Sequence, residues 1–130
     1  GSAFPELTKE AVSLQKLAEY PIISLIEGTS SHDFYAELFL RHDLAFAPDV
    51  EVETTAQVLP VVQSNLGVGF VPHEMLFGSP EESGIYPVTL TEPIAPRELY
   101  LYQRKTQPLS VAAKRLRQML LDNTPQPGEK

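Results

Sequence analysis

Three short stretches carry residue types that could bind a small ligand, namely residues 28–31, 54–55 and 70–73. Hydroxyls and backbone N–H groups beside an aromatic ring can satisfy the oxygens of a small polar or anionic molecule without a compensating charge. The same residue types also build helix caps and tight turns, so the pattern alone leaves that structural interpretation open. The candidate ligand-binding residues are Gly28, Thr29, Ser30, Ser31, Thr54, Thr55, Phe70 and Pro72.

Arrangements that would support catalysis or metal binding lack the spacing that their chemistry needs. Each of the three histidines neighbours an acidic residue in the sequence, but adjacent residues do not share a helical face and match no known metal-ligand spacing. A Ser-His-Asp triad could be drawn from Ser30, His73 and Asp33, but the sequence lacks the Gly-x-Ser-x-Gly motif that would support it. The segment Gly67-Val68-Gly69 follows a helix and opens a strand, the reverse of a dinucleotide-binding loop. We therefore expect no catalytic residue, no metal, no cofactor and no enzymatic activity.

Composition narrows the class of protein further. The 130-residue chain has no cysteine, which excludes disulfides and thiolate sites and fits a reducing compartment. No apolar run is long enough to span a bilayer, so we expect a cytoplasmic protein without a membrane partner. The formal net charge of -7 argues against direct contact of this segment with a nucleic-acid backbone, because such binding depends on Lys and Arg. The opening Gly1-Ser2, without an initiator Met, is typical of a cleaved expression tag.

The ligand-binding stretches are predicted to follow three strands. Residues 21–26 are dense in β-branched and apolar side chains and indicate a central strand, residues 49–54 alternate acidic and apolar side chains as edge strands do, and residues 68–71 indicate a short buried strand. A helix over residues 32–42, capped by Ser30 or Ser31, separates the first two strands. A second helix, beginning near Gln57 or bending at Pro60, ends at a left-handed Gly67.

Strand–helix–strand units build parallel sheets, which bind ligands at the carboxyl ends of their strands. The predicted fold class is therefore α/β, a three-layer Rossmann-like lobe with a mostly parallel sheet. Further elements are a short helix within residues 7–20 capped by Ser13, a helical turn over 73–77, an edge strand or bulge over 85–90 and a strand over 97–104. The last helix spans residues 110–121, with Ser110 as its cap, and its predicted buried side consists of Ala112, Ala113, Leu116, Met119 and Leu120.

Four segments in the right order resemble LysR-type transcriptional regulators. Residues 17–23 resemble the start of the second lobe of the effector domain, and residues 63–72 are similar to that family's V-x-x-G-x-G-I-x-x-x-P ending. Residues 97–101 and 109–113 resemble its final strand and closing helix. The resemblance covers residues 7–121, with Asn65 at a position where the family often has Gly or Ala.

This resemblance implies a periplasmic-binding-protein-like fold of type 2 and an effector-sensing regulatory role. A small anionic molecule bound between two lobes would control DNA binding and transcription by the full-length, homo-oligomeric protein, with DNA contacted only by an N-terminal domain outside this sequence. Residues 1–2 would be a tag remnant, 3–107 the effector-binding lobe (regulatory subdomain II), 108–122 a C-terminal helix belonging to a missing first lobe, and 123–130 a flexible tail. With half of the site present, we expect weak or no effector binding. A lobe of a solute-binding protein used in transport remains the alternative.

Overall fold

The computed structural model describes residues 3–97 and 100–123. The predicted tag remnant at residues 1–2 and the predicted flexible tail beyond residue 123 lie outside the described residues, as do positions 98 and 99 of the last predicted strand. The chain divides into two compact units, residues 1–95 and residues 96–130, and each is described by itself. No helix among the described residues is long and apolar enough to cross a membrane.

Three parallel strands form the sheet of the first unit. They are β1 (Ile22–Leu25), β2 (Val50–Val52) and β3 (Val68–Gly69), and their order in the sheet is β2-β1-β3. β1 pairs with both neighbours, so the predictions of a central strand within residues 21–26 and an edge strand within residues 49–54 are confirmed. The third strand is two residues long and thus shorter than predicted. The parallel pairing confirms the α/β fold class.

Two helices cover the sheet, α2 (Ser30–Leu40) and α3 (Thr55–Gln63), each following a strand. Ile22 of β1 belongs to the same buried cluster as Phe39 of α2. Its neighbour Ile23 pairs with Gly69, and a Cβ at Gly69 would lie against Val58 of α3. Because successive side chains of a strand point to opposite faces, α2 and α3 lie on opposite faces of the sheet, which gives three layers.

The start of α2 differs from the prediction. Thr29, rather than Ser30 or Ser31, is the N-cap, since its Oγ1 accepts a hydrogen bond from the His32 N–H at 3.2 Å. Ser30 and Ser31 instead form the first turn of the helix. A threonine with extended backbone satisfies a first-turn N–H as well as a serine does, and three consecutive hydroxyl residues cannot be ranked by residue type alone.

The boundaries of α3 differ as well. The helix begins at Thr55, two residues before Gln57, and includes Pro60. The left-handed residue after it is Asn65, with φ of 58°, whereas Gly67 has a negative φ. Gly67 is required for a different reason: a Cβ there would lie 2.3 Å from the carbonyl oxygen of Pro21. The prediction that Gly67 is the left-handed residue after α3 was therefore wrong. Asn65 takes that conformation instead, which asparagine also tolerates.

The remaining elements of the first unit are short. They comprise 3₁₀ turns at Pro5–Thr8 and His73–Met75, α1 (Leu14–Leu17) and α4 (Pro80–Ser83). The Ser13 hydroxyl accepts from the Lys16 N–H at 3.1 Å, so the predicted cap of α1 is confirmed. Residues 85–90 contribute an isolated parallel bridge, Val12↔Leu90, rather than a strand. Pro87, which cannot donate to a ladder, accounts for this interruption.

The second unit contains α5 (Val111–Asp122), whose predicted cap Ser110 is confirmed by a hydrogen bond from the Ala113 N–H. The predicted burial of its apolar side was wrong, since Leu116 is 58% exposed and Met119 and Leu120 are about half exposed. Amphipathic spacing identifies a side that can be buried but not the surface that would bury it. The described residues of the predicted strand, 97 and 100–104, adopt no strand either.

Candidate functional site

The carboxyl ends of β1, β2 and β3 lie at the same edge of the sheet because all three strands are parallel. We call this the carboxyl edge. Residues 28–31 follow β1, residues 54–55 follow β2, and Phe70 follows β3 directly. Pro72 comes two residues later and precedes a 3₁₀ turn. The structure therefore brings the segments of all eight predicted ligand-binding residues to one edge.

The first segment is a tight turn that ends in the cap of α2. Gly28 has a φ of 82°, a left-handed conformation that favours glycine. Thr29 Oγ1 donates to the Ile26 carbonyl oxygen at 3.0 Å while it accepts from the His32 N–H. The hydroxyl of Thr29 is thus engaged within the loop, so this residue shapes the turn and fixes the start of α2.

The second segment is organised by Gln57, a residue that the sequence-based prediction missed. Its Oε1 accepts from the Thr54 N–H at 2.9 Å, the Thr54 hydroxyl at 3.2 Å and the Glu53 N–H at 3.1 Å. The Thr-x-x-Gln spacing of Thr54 and Gln57 is a capping box, which was the available signal. Thr55, half-buried, is the first residue of α3.

The third segment is held by aromatic contacts. The ring of Phe70 stacks on Tyr35 of α2 with centroids 4.4 Å apart and planes at 21°. It also meets Phe39 edge-on, with centroids 6.3 Å apart. The contact between Tyr35 and Phe70 was not predicted from the sequence. Offset stacking and edge-to-face contacts are the preferred geometries of aromatic pairs, so these contacts orient Phe70.

The electrostatics of the carboxyl edge combine helix termini with acidic side chains. α2 and α3 both begin at this edge, so the positive ends of two helix dipoles face it. Glu27 and Asp33, both exposed, flank the first segment, and Glu53 precedes the second. The positive potential at this edge therefore comes from backbone N–H groups. Such groups can donate hydrogen bonds to the oxygen atoms of a ligand.

Metal binding finds no support in residues 3–97 and 100–123, where no group of three or more His, Asp or Glu side chains could hold an ion. His32 lies 3.5 Å from Asp33, and its ring packs against Phe46 with centroids 5.4 Å apart. An aromatic contact of this kind gives His32 a packing role in the first turn of α2.

An open groove of about 390 Å³ lies beside the second segment, between β2 and α3. Its lining includes the apolar residues Val52, Pro60 and Val61 and the acidic residues Glu51 and Glu53. Gln57 lines this groove and also holds Thr54, so the groove adjoins the carboxyl edge. None of the eight predicted ligand-binding residues lines it.

Comparison with known families gives a match over nearly the whole chain. The family model described as the LysR substrate binding domain matches residues 2–125. No curated protein matches the chain significantly.

Proposed function

We propose, because this chain belongs to the LysR substrate binding domain family, that it senses a small anionic effector for a LysR-type transcriptional regulator. Effector binding and regulation are the roles of this family. The finer proposal is that the effector binds at the carboxyl edge and thereby controls DNA binding and transcription by the full-length protein. The observation that carries it is the meeting of three connecting segments and two helix N-termini at one edge of a parallel sheet.

The anionic character of the effector is supported by the starts of α2 and α3. A negative group at a helix N-terminus gains about 0.3–1 kcal/mol per helix end. Glu27 and Asp33 oppose this gain, because they are negative and adjoin the first segment. We therefore expect carboxylates to bind this chain with dissociation constants of about 1 mM or weaker, corresponding to roughly 4 kcal/mol or less.

The proposal includes a division of the chain. Residues 3–107 would supply one wall of the effector site, and the helix over residues 108–122 would pack on a first lobe that supplies the other wall. DNA would be contacted by a separate domain of a homo-oligomeric regulator.

Titration by two-dimensional ¹H–¹⁵N NMR tests the site and the charge of the ligand together. Acetate and benzoate are compared with acetamide and benzamide, which preserve size and shape but carry no charge. We expect the two carboxylates to shift the amide signals of residues 28–31, 54–55 and 70–71, and the two amides to leave these signals in place. Equal shifts with the amides would refute the anionic effector, and shifts confined to other residues would refute the site.

Thr29→Ala is the variant that tests the first segment, because it removes the cap that fixes the start of α2. We expect it to weaken the benzoate-induced shifts. Ser79→Ala is the matched control, since Ser79 caps α4 through the Glu82 N–H in the same way but lies outside the three segments. The same loss of binding in both variants would contradict the role of the first segment.

A further inference from the structure

Phe70 lies one position beyond the last paired residue of the sheet. Gly69 pairs with Ile23 of β1 and closes the ladder between β1 and β3. The ring of Phe70 then contacts α2, through the stack on Tyr35 and the edge-on contact with Phe39. The chain that continues to Pro72 is therefore tied to a helix on one face of the sheet as well as to the sheet itself.

Tyr35 is placed to connect two of the three segments at the carboxyl edge. It lies in α2, six positions after Thr29, whose hydrogen bonds fix the first segment and the start of that helix. Its partner Phe70 begins the third segment. Because α2 is a rigid helix, the ring of Tyr35 keeps a fixed position relative to the start of α2. The stack on Phe70 therefore links the position of the third segment to that of the first.

We propose that Tyr35 is a positioning residue for the effector site, which holds the third segment at a fixed distance from the start of α2 through the ring of Phe70. This inference rests on the proposed function, because it assigns the two connected segments to one binding site. Tyr35 acts through Phe70 and through α2, and no contact between Tyr35 and the effector is required.

A purely structural role for Tyr35 predicts a different result from a positioning role. Both Tyr35 and Tyr20 are half-buried tyrosines packed against the main hydrophobic cluster. Tyr20 precedes β1, at the opposite end of that strand, and its ring meets Phe4 edge-on with centroids 5.4 Å apart. Tyr20→Leu is therefore a matched control that disturbs the same cluster at the end of β1 opposite the carboxyl edge. Tyr35→Phe keeps the ring stack and removes only the hydroxyl.

Amide hydrogen exchange of the chain without ligand is the first measurement. In Tyr35→Leu we expect exchange to accelerate on the order of threefold to tenfold in both residues 30–34 and residues 70–71, in line with the usual strength of aromatic pairs. In Tyr35→Phe we expect the exchange of residues 70–71 to accelerate less than in Tyr35→Leu, because the ring stack is kept. Tyr20→Leu should lower the melting temperature while leaving exchange in these two segments unchanged relative to the rest of the sheet.

The benzoate titration is the second measurement, with an expected threefold to tenfold rise in the dissociation constant for Tyr35→Leu alone. Unchanged exchange of residues 70–71 in Tyr35→Leu, or an equal acceleration in Tyr20→Leu, would overturn the proposal. If benzoate shifts only other residues, or shifts the three segments no more than benzamide does, the proposed anion site is refuted, and the exchange data still decide whether Tyr35 positions the third segment.

Discussion

The fit of Gly69 against α3 gives a quantitative test of how β3 is held. A Cβ at this position would lie 2.5 Å from Val58 Cγ1 and 3.3 Å from the Ile23 carbonyl oxygen. Val58 is fully buried, and a β-branched side chain in a helix has one strongly preferred rotamer, so Val58 cannot turn away. Gly69→Ala should therefore destabilise the fold by about 1–3 kcal/mol, the usual cost of overpacking.

Removing the obstructing methyl should partly restore stability. Val58→Ala alone deletes two buried methyl groups and should cost about 2 kcal/mol in lost burial and cavity formation. In the double variant, the methyl of alanine at position 69 enters the space that Val58 Cγ1 leaves. We expect the two effects to be non-additive, with the double variant about 1–2 kcal/mol more stable than their sum, as is usual for residues in contact.

Urea unfolding followed by circular dichroism measures each free energy of unfolding, with the slope checked for constancy across variants. Gly28→Ala is the control, because Gly28 has a φ of 82° and a Cβ there would meet no atom within 4 Å. Its cost of about 1–2 kcal/mol comes from the left-handed backbone alone, so Val58→Ala should not reduce it. Additivity of Gly69→Ala and Val58→Ala within about 0.5 kcal/mol would refute the steric argument.

Two further predictions concern single polar groups. Ser24 is 5% exposed, and its hydroxyl has no hydrogen-bond partner among the described residues. Because a buried unpaired hydroxyl costs about 1–3 kcal/mol, Ser24→Ala should raise the urea midpoint. A lowered midpoint would contradict this expectation. Glu92 accepts from the Thr91 hydroxyl at 2.8 Å and the Leu14 N–H at 2.9 Å, and these bonds, that of Thr91 above all, lower the pKa of Glu92. Its stabilising contribution is complete above the unfolded pKa of about 4.3 and is lost as pH falls through the lower folded pKa. Glu92→Gln should therefore flatten the decline of the urea midpoint below pH 5, and an unchanged decline would refute the link.

Local patterns sufficed for much of the fold. Dense β-branched residues identified β1, alternation identified β2, and hydroxyl residues before apolar periodicity identified the caps Ser13 and Ser110. The failures concern elements whose stability depends on distant partners. Residues 100–104 have the alternation of a strand but adopt no strand, and Leu116 has the spacing of a buried residue but is 58% exposed among the described residues. Neither the pairing nor the covering surface is encoded within the segment itself.

Topology accounts for what could be predicted about the candidate site. Once three strands are parallel, the segments after them must lie at one edge, and residue types then mark the candidates. Hydrogen-bond use within those segments could not be predicted in the same way. Thr29 and Thr54 looked equally available for a ligand, yet one hydroxyl donates to a backbone carbonyl and the other to Gln57. Such bonds depend on loop geometry at the level of single ångströms, which residue type does not specify.

Two glycines outside the three segments help to build the carboxyl edge. Gly67 and Gly69 let β3 approach Pro21 and Val58 closely, because neither position has room for a Cβ. The close approach of β3 places Phe70 against Tyr35. This contact determines where the third segment leaves the sheet. A side chain at either glycine would therefore displace the third segment and, under the proposed function, disturb the effector site through Phe70.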